Sequence, residues 1–86
     1  MDETLHIASL VVLARPELFE AVKANLRLLD NLELHQESAA GKLVVVLETT
    51  DENQILQRIE QINNLPGVLN AALIYHEVLD PAGDLQ

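Results

Sequence analysis

Two segments of this chain are hydrophobic on both alternating faces: Ile7-Ala8-Ser9-Leu10-Val11-Val12-Leu13-Ala14 and Leu43-Val44-Val45-Val46-Leu47. A strand packed by helices on one side needs only one apolar face. In a chain of 86 residues, such strands belong at the centre of a small sheet. The sequence has room for two helices, which can cover one face. The second face is then left open with Val and Ile on it. An open apolar face on a small protein usually awaits a partner.

The rest of the chain supports this layout. Residues 5–14 read as the first strand, stopped by Arg15-Pro16. Pro16 suits the first turn of a helix, where its missing N–H costs nothing. Leu18, Val22, Leu26 and Leu29, widened by Phe19 and Ala21, form a helical stripe over 17–29 that ends at Asp30-Asn31. Leu32 to Glu37 alternates as a half-exposed edge strand. Ser38-Ala39-Ala40-Gly41 is a hairpin loop in which Gly41 supplies backbone freedom. Residues 42–49 form the third strand. Thr49 with Glu52 matches a capping box, and Ile55, Ile59 and Ile62 with Leu56 make the second helical stripe. Asn63-Asn64-Leu65-Pro66-Gly67 breaks it, and residues 68–78 form the last strand. Residues 1–79 are expected as a single domain, with 80–86 as a flexible polar tail.

The order β-α-β-β-α-β is that of a ferredoxin-like α+β sandwich. Right-handed crossovers predict a four-stranded antiparallel sheet in spatial order 4-1-3-2 with both helices on one face. The two doubly apolar strands then fall at the centre, so pattern and topology agree independently.

Composition narrows the function classes. The net charge of −9 repels phosphate, and Phe19 and Tyr75 offer no stacking platform beyond themselves, so nucleic-acid binding is disfavoured. The same charge favours a cationic partner. The absence of cysteine removes disulfides and thiolate chemistry and suits a reducing cytoplasm. The acidic Met1-Asp2-Glu3-Thr4 lacks the basic start of an export signal, and no run approaches the ~18 apolar residues of a membrane span. A cytoplasmic protein with no direct membrane insertion is expected.

Period-two geometry assigns the faces. On the second strand Leu32 and Leu34 point inward, leaving Glu33, His35 and Glu37 outward. On the third, Lys42, Val44, Val46 and Glu48 share the outward parity. On the fourth, Asn70, Ala72, Ile74 and His76 are expected outward, with Ala71, Leu73 and Tyr75 inward. Ser9 places Ile7, Ser9, Val11 and Leu13 outward on the first strand; the alternative parity exposes His6, Ala8, Leu10 and Val12. The expected binding set is therefore Ile7, Ser9, Val11, Leu13, Glu33, Glu37, Val44, Val46, Glu48, Ala72, Ile74 and His76. It describes an apolar trough with an acidic margin. The plainer alternative is ordinary β-propensity with a solvated rim.

No catalytic constellation stands out. His6, His35 and His76 lie on three strands, and the second and fourth strands are the sheet's two edges, so a metal held by His35 and His76 is disfavoured. Glu33, Glu37 and Glu48 on an open sheet lack an enclosing pocket to shift a pKa. Gly41 and Gly67 are isolated turn glycines.

Ser9-Leu10-Val11-Val12, Gly41 through Glu48, and Pro66-Gly67-Val68-Leu69 running into Leu73-Ile74-Tyr75-His76 together resemble the NapD family over residues 5–77. That resemblance implies a ferredoxin-like cytoplasmic chaperone of the periplasmic nitrate reductase catalytic subunit. It implies binding of the precursor's twin-arginine signal peptide, with export held back until the molybdenum cofactor is loaded. It also implies a chain that is not itself a nitrate reductase and carries no cofactor of its own. The chain is expected to be no enzyme and to act as a monomer or weak dimer. The leader's bound form, helix or strand, stays open. A ligand-sensing or dimerisation module of the same fold is the alternative.

Overall fold

The computed structural model describes residues 4–38 and 40–79. The first strand, β1 (Leu5–Ala14), buries Ala8, Leu10, Val12 and Ala14. Those four share one parity and form the floor of the core. Ile7, Ser9, Val11 and Leu13 therefore face the other way, as Ser9 indicated.

Arg15 stays extended and Pro16–Leu18 forms a single 3-10 turn, closed by the Leu18 N–H donating to the Arg15 carbonyl. Helix α1 then runs only from Phe19 to Leu26. The expected helix over 17–29 is thus shorter at both ends. At its C-terminal end, Leu28 and Leu29 donate to Asn25 and Leu26, tightening the chain into i→i+3 turns. Asn31, at φ +64°, then swings it into the sheet. Val22 and Leu26 still reach the core, while Leu18 sits at the margin.

Strands β2 (Leu32–Ser38) and β3 (Lys42–Thr49) form the hairpin. Gly41 turns it at φ +100°, and its carbonyl accepts the Ala14 N–H at 2.7 Å. A β-carbon at Gly41 would collide with the Ala14 carbonyl, so both its conformation and its packing require glycine.

Helix α2 (Asn53–Asn63) follows. The expected Thr49–Glu52 capping box does not form. Thr49 is the last residue of β3, buried on the core side, and its hydroxyl donates to Gln54 Oε1 at 2.6 Å. Asp51 takes over: its carboxylate accepts the Asn53 N–H at 2.9 Å and its carbonyl accepts the Gln54 N–H. Ile55 and Ile62 are buried and Ile59 packs beside them, whereas Leu56 lies in solvent.

Strand β4 (Val68–Leu79) closes the sheet. The order is β2-β3-β1-β4, antiparallel throughout, which is the expected 4-1-3-2 read from the other edge. The core lies between the sheet and the two helices, with Leu10, Val12, Leu43 and Val45 opposite Val22, Leu26 and Ile62. The polar tail at 80–86 lies outside the described residues.

Candidate functional site

The uncovered face of the sheet can be read in cross-strand rows. Glu48, Ile7 and Glu77 stand side by side in the first. Glu33, Val46, Ser9 and Tyr75 form the second. Gln36, Val44, Val11 and Ala72 form the third, and Ser38, Lys42, Leu13 and Asn70 the fourth. Val11, Val44, Val46 and Ala72 are half-buried, each flanked by its neighbours across the strands. Leu13 is 41% exposed. The outcome is an aliphatic centre with carboxylates at one end and a lysine at the other.

Sequence parity placed Ile7, Ser9, Val11, Leu13, Glu33, Val44, Val46, Glu48 and Ala72 on this face, and the structure brings them together there. It separates three others. Glu37 faces the helices: a register shift between Leu34 and Gln36 inserts one extra residue, His35, and flips the parity beyond it. Glu37 then stands beside buried Leu43 and accepts Lys23 Nζ at 3.1 Å. His76 also faces the helices. A shift opposite Ser9/Leu10 makes Ile74 the extra residue and pairs His76 with buried Ala8. Ile74 itself sits on the bulge, 57% exposed.

The same bulge carries Tyr75 and Glu77 to the open face, where parity had put Tyr75 inside. Tyr75 Oη donates to Glu77 Oε1 at 3.3 Å. The charge of Glu77 holds the Tyr75 hydroxyl above its ordinary pKa. One signal for this slip was present in the sequence. Asn70 and Glu77 are both polar and seven residues apart, so a regular strand cannot expose both on one face.

A cleft of about 620 Å³ opens at the acidic end, beneath the start of β2. Glu33, Val46 and Glu48 line it together with Asn31, Thr50 and Gln54. Acidic and aliphatic groups thus meet at one place with space beside them. On the helix side, His6 Nδ1 and His76 Nε2 approach to 3.0 Å, sharing one hydrogen bond across β1 and β4. Sequence parity set His6 inward and His76 outward on these neighbouring strands; the β4 bulge turns His76 to the side of His6. Among the described residues no group of three or more His, Cys, Asp or Glu is disposed to hold a metal, and no helix is long and apolar enough to cross a membrane.

This geometry suits binding rather than catalysis, and comparison with known proteins says whose geometry it is. A family profile described as NapD protein matches residues 5–80. The chain belongs to the NapD family. Chaperone NapD of Haemophilus influenzae is 30% identical over 73 residues, covering 84% of this chain and 78% of that protein. Chaperone NapD of Escherichia coli K12 is 33% identical over 78 residues, covering 90% of each. The solution structure of the E. coli Tat proofreading chaperone NapD superposes with a TM-score of 0.80 at 31% identity, over 100% of this chain and 90% of that one. The NapD family is one of chaperones, so this member is a chaperone and not an enzyme.

Proposed function

We propose that this protein is a Tat proofreading chaperone that binds the twin-arginine signal peptide of the periplasmic nitrate reductase precursor on the open face of its sheet. It works in the cytoplasm, as a monomer or weak dimer, and delays export until the molybdenum cofactor is in place. The observation that carries the reading is the adjacency of an aliphatic centre (Val11, Val44, Val46) to carboxylates (Glu33, Glu48) on one uncovered face. A twin-arginine leader has the complementary pair of properties, a basic start and an apolar continuation. Membership of the NapD family, and the role stated for the E. coli relative, point the same way.

The division of labour follows from magnitudes. Covering roughly 400 Å² of apolar surface at ~25 cal/mol/Å² yields on the order of 10 kcal/mol gross. Association and ordering of a flexible peptide cancel much of it. Exposed Arg–carboxylate pairs add only about 0.2–1 kcal/mol each. Burial thus supplies affinity, and the acids supply orientation, encounter rate and preference for a basic leader.

A titration of isotope-labelled protein with the leader, followed by amide NMR, tests this. Shifts concentrated on Val11, Val44, Val46 and Ala72 are expected, weaker with both arginines replaced by glutamine. Shifts confined to the helix side would overturn the reading.

A further inference from the structure

The open face is polar along its strands rather than across them. Glu48 and Glu77 flank Ile7 at one end, with Glu33 one row further in. Lys42 and Asn70 flank Leu13 at the other. Between them lie the two rows that hold Val46, Val44, Val11 and Ala72. A ligand with charge at one end and apolar character in the middle can satisfy this pattern in one direction only.

Resting on the docking reading above, we propose that the leader lies along the strands with its chain running parallel to β1, its basic start over Ile7 between Glu48 and Glu77 and its apolar stretch ending at Leu13 beside Lys42. The reverse direction would set arginines against Lys42 and leave the carboxylates facing hydrocarbon. Dimensions agree. Ile7 to Leu13 spans about 20 Å at ~3.3 Å per strand residue, the length of a helix of about 13 residues. In that direction a helical leader also presents its positive N-terminal dipole end to the acids and its negative end to Lys42.

Tyr75 and Glu77 are the specificity residues this direction adds. They stand together on the open face, and a planar guanidinium can stack on the Tyr75 ring while pairing with the Glu77 carboxylate. A lysine can pair with Glu77 but cannot stack in the same way. The cleft bordered by Glu33 and Glu48 gives a second long basic side chain room beside the sheet.

The test uses the full chain and a synthetic peptide of two adjacent arginines followed by an apolar stretch. A nitroxide is attached at the peptide's N-terminus in one sample and its C-terminus in another. The N-terminal label is expected to broaden the amides of Ile7, Glu48 and Glu77, and the C-terminal label those of Leu13, Lys42 and Asn70. The reverse pattern, or equal broadening at both ends, overturns the direction while shifts at Val11 and Val44 leave the docking reading standing. Absence of any response on this face brings down both. As a second measurement, the double variant Glu48→Gln/Glu77→Gln is expected to weaken binding of the arginine peptide about tenfold at low ionic strength. It should leave unchanged the binding of a peptide whose arginines are glutamine. Equal loss for both peptides overturns the assignment of the basic end to these carboxylates.

Discussion

The side chain of Asn63 is hydrogen-bonded to both backbone groups of Ala71. Its Nδ2 donates to the Ala71 carbonyl at 3.2 Å, and its Oδ1 accepts the Ala71 N–H at 3.0 Å. The Nδ2 also donates to the Ile59 carbonyl within α2. One amide therefore imitates a neighbouring strand for one residue of an edge strand. It ties the last turn of α2 to β4 and occupies the edge at the point where the strand is most buried. A strand added to this edge could not pair with Ala71 while that amide stays in place.

Replacing Asn63 with Ala removes both bonds and leaves the Ala71 amide without its partner. A loss of about 1–3 kcal/mol is expected, the cost of an unsatisfied buried backbone group. Asn63→Asp keeps the acceptor and loses the donor, so it should fall between. Urea unfolding of the three proteins, compared at a common slope, gives the ranking.

Lys23 gives a pH signature. Its side chain is nearly buried on α1, its ammonium within 3.1 Å of Glu37, 3.2 Å of Glu20 and over the Phe19 ring. The hydrogen bonds it donates to Glu37 first, and Glu20 next, raise its pKa above the ordinary 10.5. The folded protein then keeps this proton at a pH where the unfolded chain has begun to release it. Stability from this group is full below 10.5 and is lost as pH climbs through the raised value. Tyr75, also raised, adds a fall of the same sign. Thermal melts from neutral to strongly alkaline pH should show the decline, and Lys23→Met should make it shallower, leaving the Tyr75 share.

Val46→Glu should weaken leader binding at least about tenfold, since it puts a charge where apolar surface must be covered. The fold should survive, because Val46 faces away from the helices. Ile74→Asp should cost less affinity, because Ile74 stands on the bulge rather than in the central rows. Calorimetry on folded samples of each variant measures both. Unaltered affinity for Val46→Glu would reject the trough.

Glu48→Gln is expected to slow association more than it speeds dissociation. A rim charge steers encounter over about 10 Å at 0.1 M salt, so the difference from the unaltered protein should shrink as ionic strength rises. Stopped-flow rates at two salt concentrations decide it. A rate that is unchanged at low salt removes Glu48 from the steering role.

Much of this face was legible before any coordinates. Ser9 favoured an outward parity for Ile7, Val11 and Leu13 but left the opposite one open, since both sets are aliphatic; the burial of Ala8, Leu10 and Val12 decides it. Lys42 and Glu48, polar at both ends of one parity, oriented β3. Glu37 and His76 were misplaced for a shared reason. Each lies beyond a bulge, and parity counted from the apolar start of a strand fails after one inserted residue. Glu37 also has a partner, Lys23, fourteen residues away on α1, and nothing local announces that pairing.

Local sequence determined which segments become strands and helices, which strands are central, and that one sheet face would stay aliphatic and uncovered. These follow from side-chain period and from how many helices the chain can build. Tertiary structure alone decided where the registers slip, and so which carboxylates and which aromatic stand on the open face. A slip is fixed by the fit of a whole strand against its neighbour and the helices beneath. Glu77 and Tyr75 reach the surface through that long-range fit, as Glu37 and His76 are drawn to the other side.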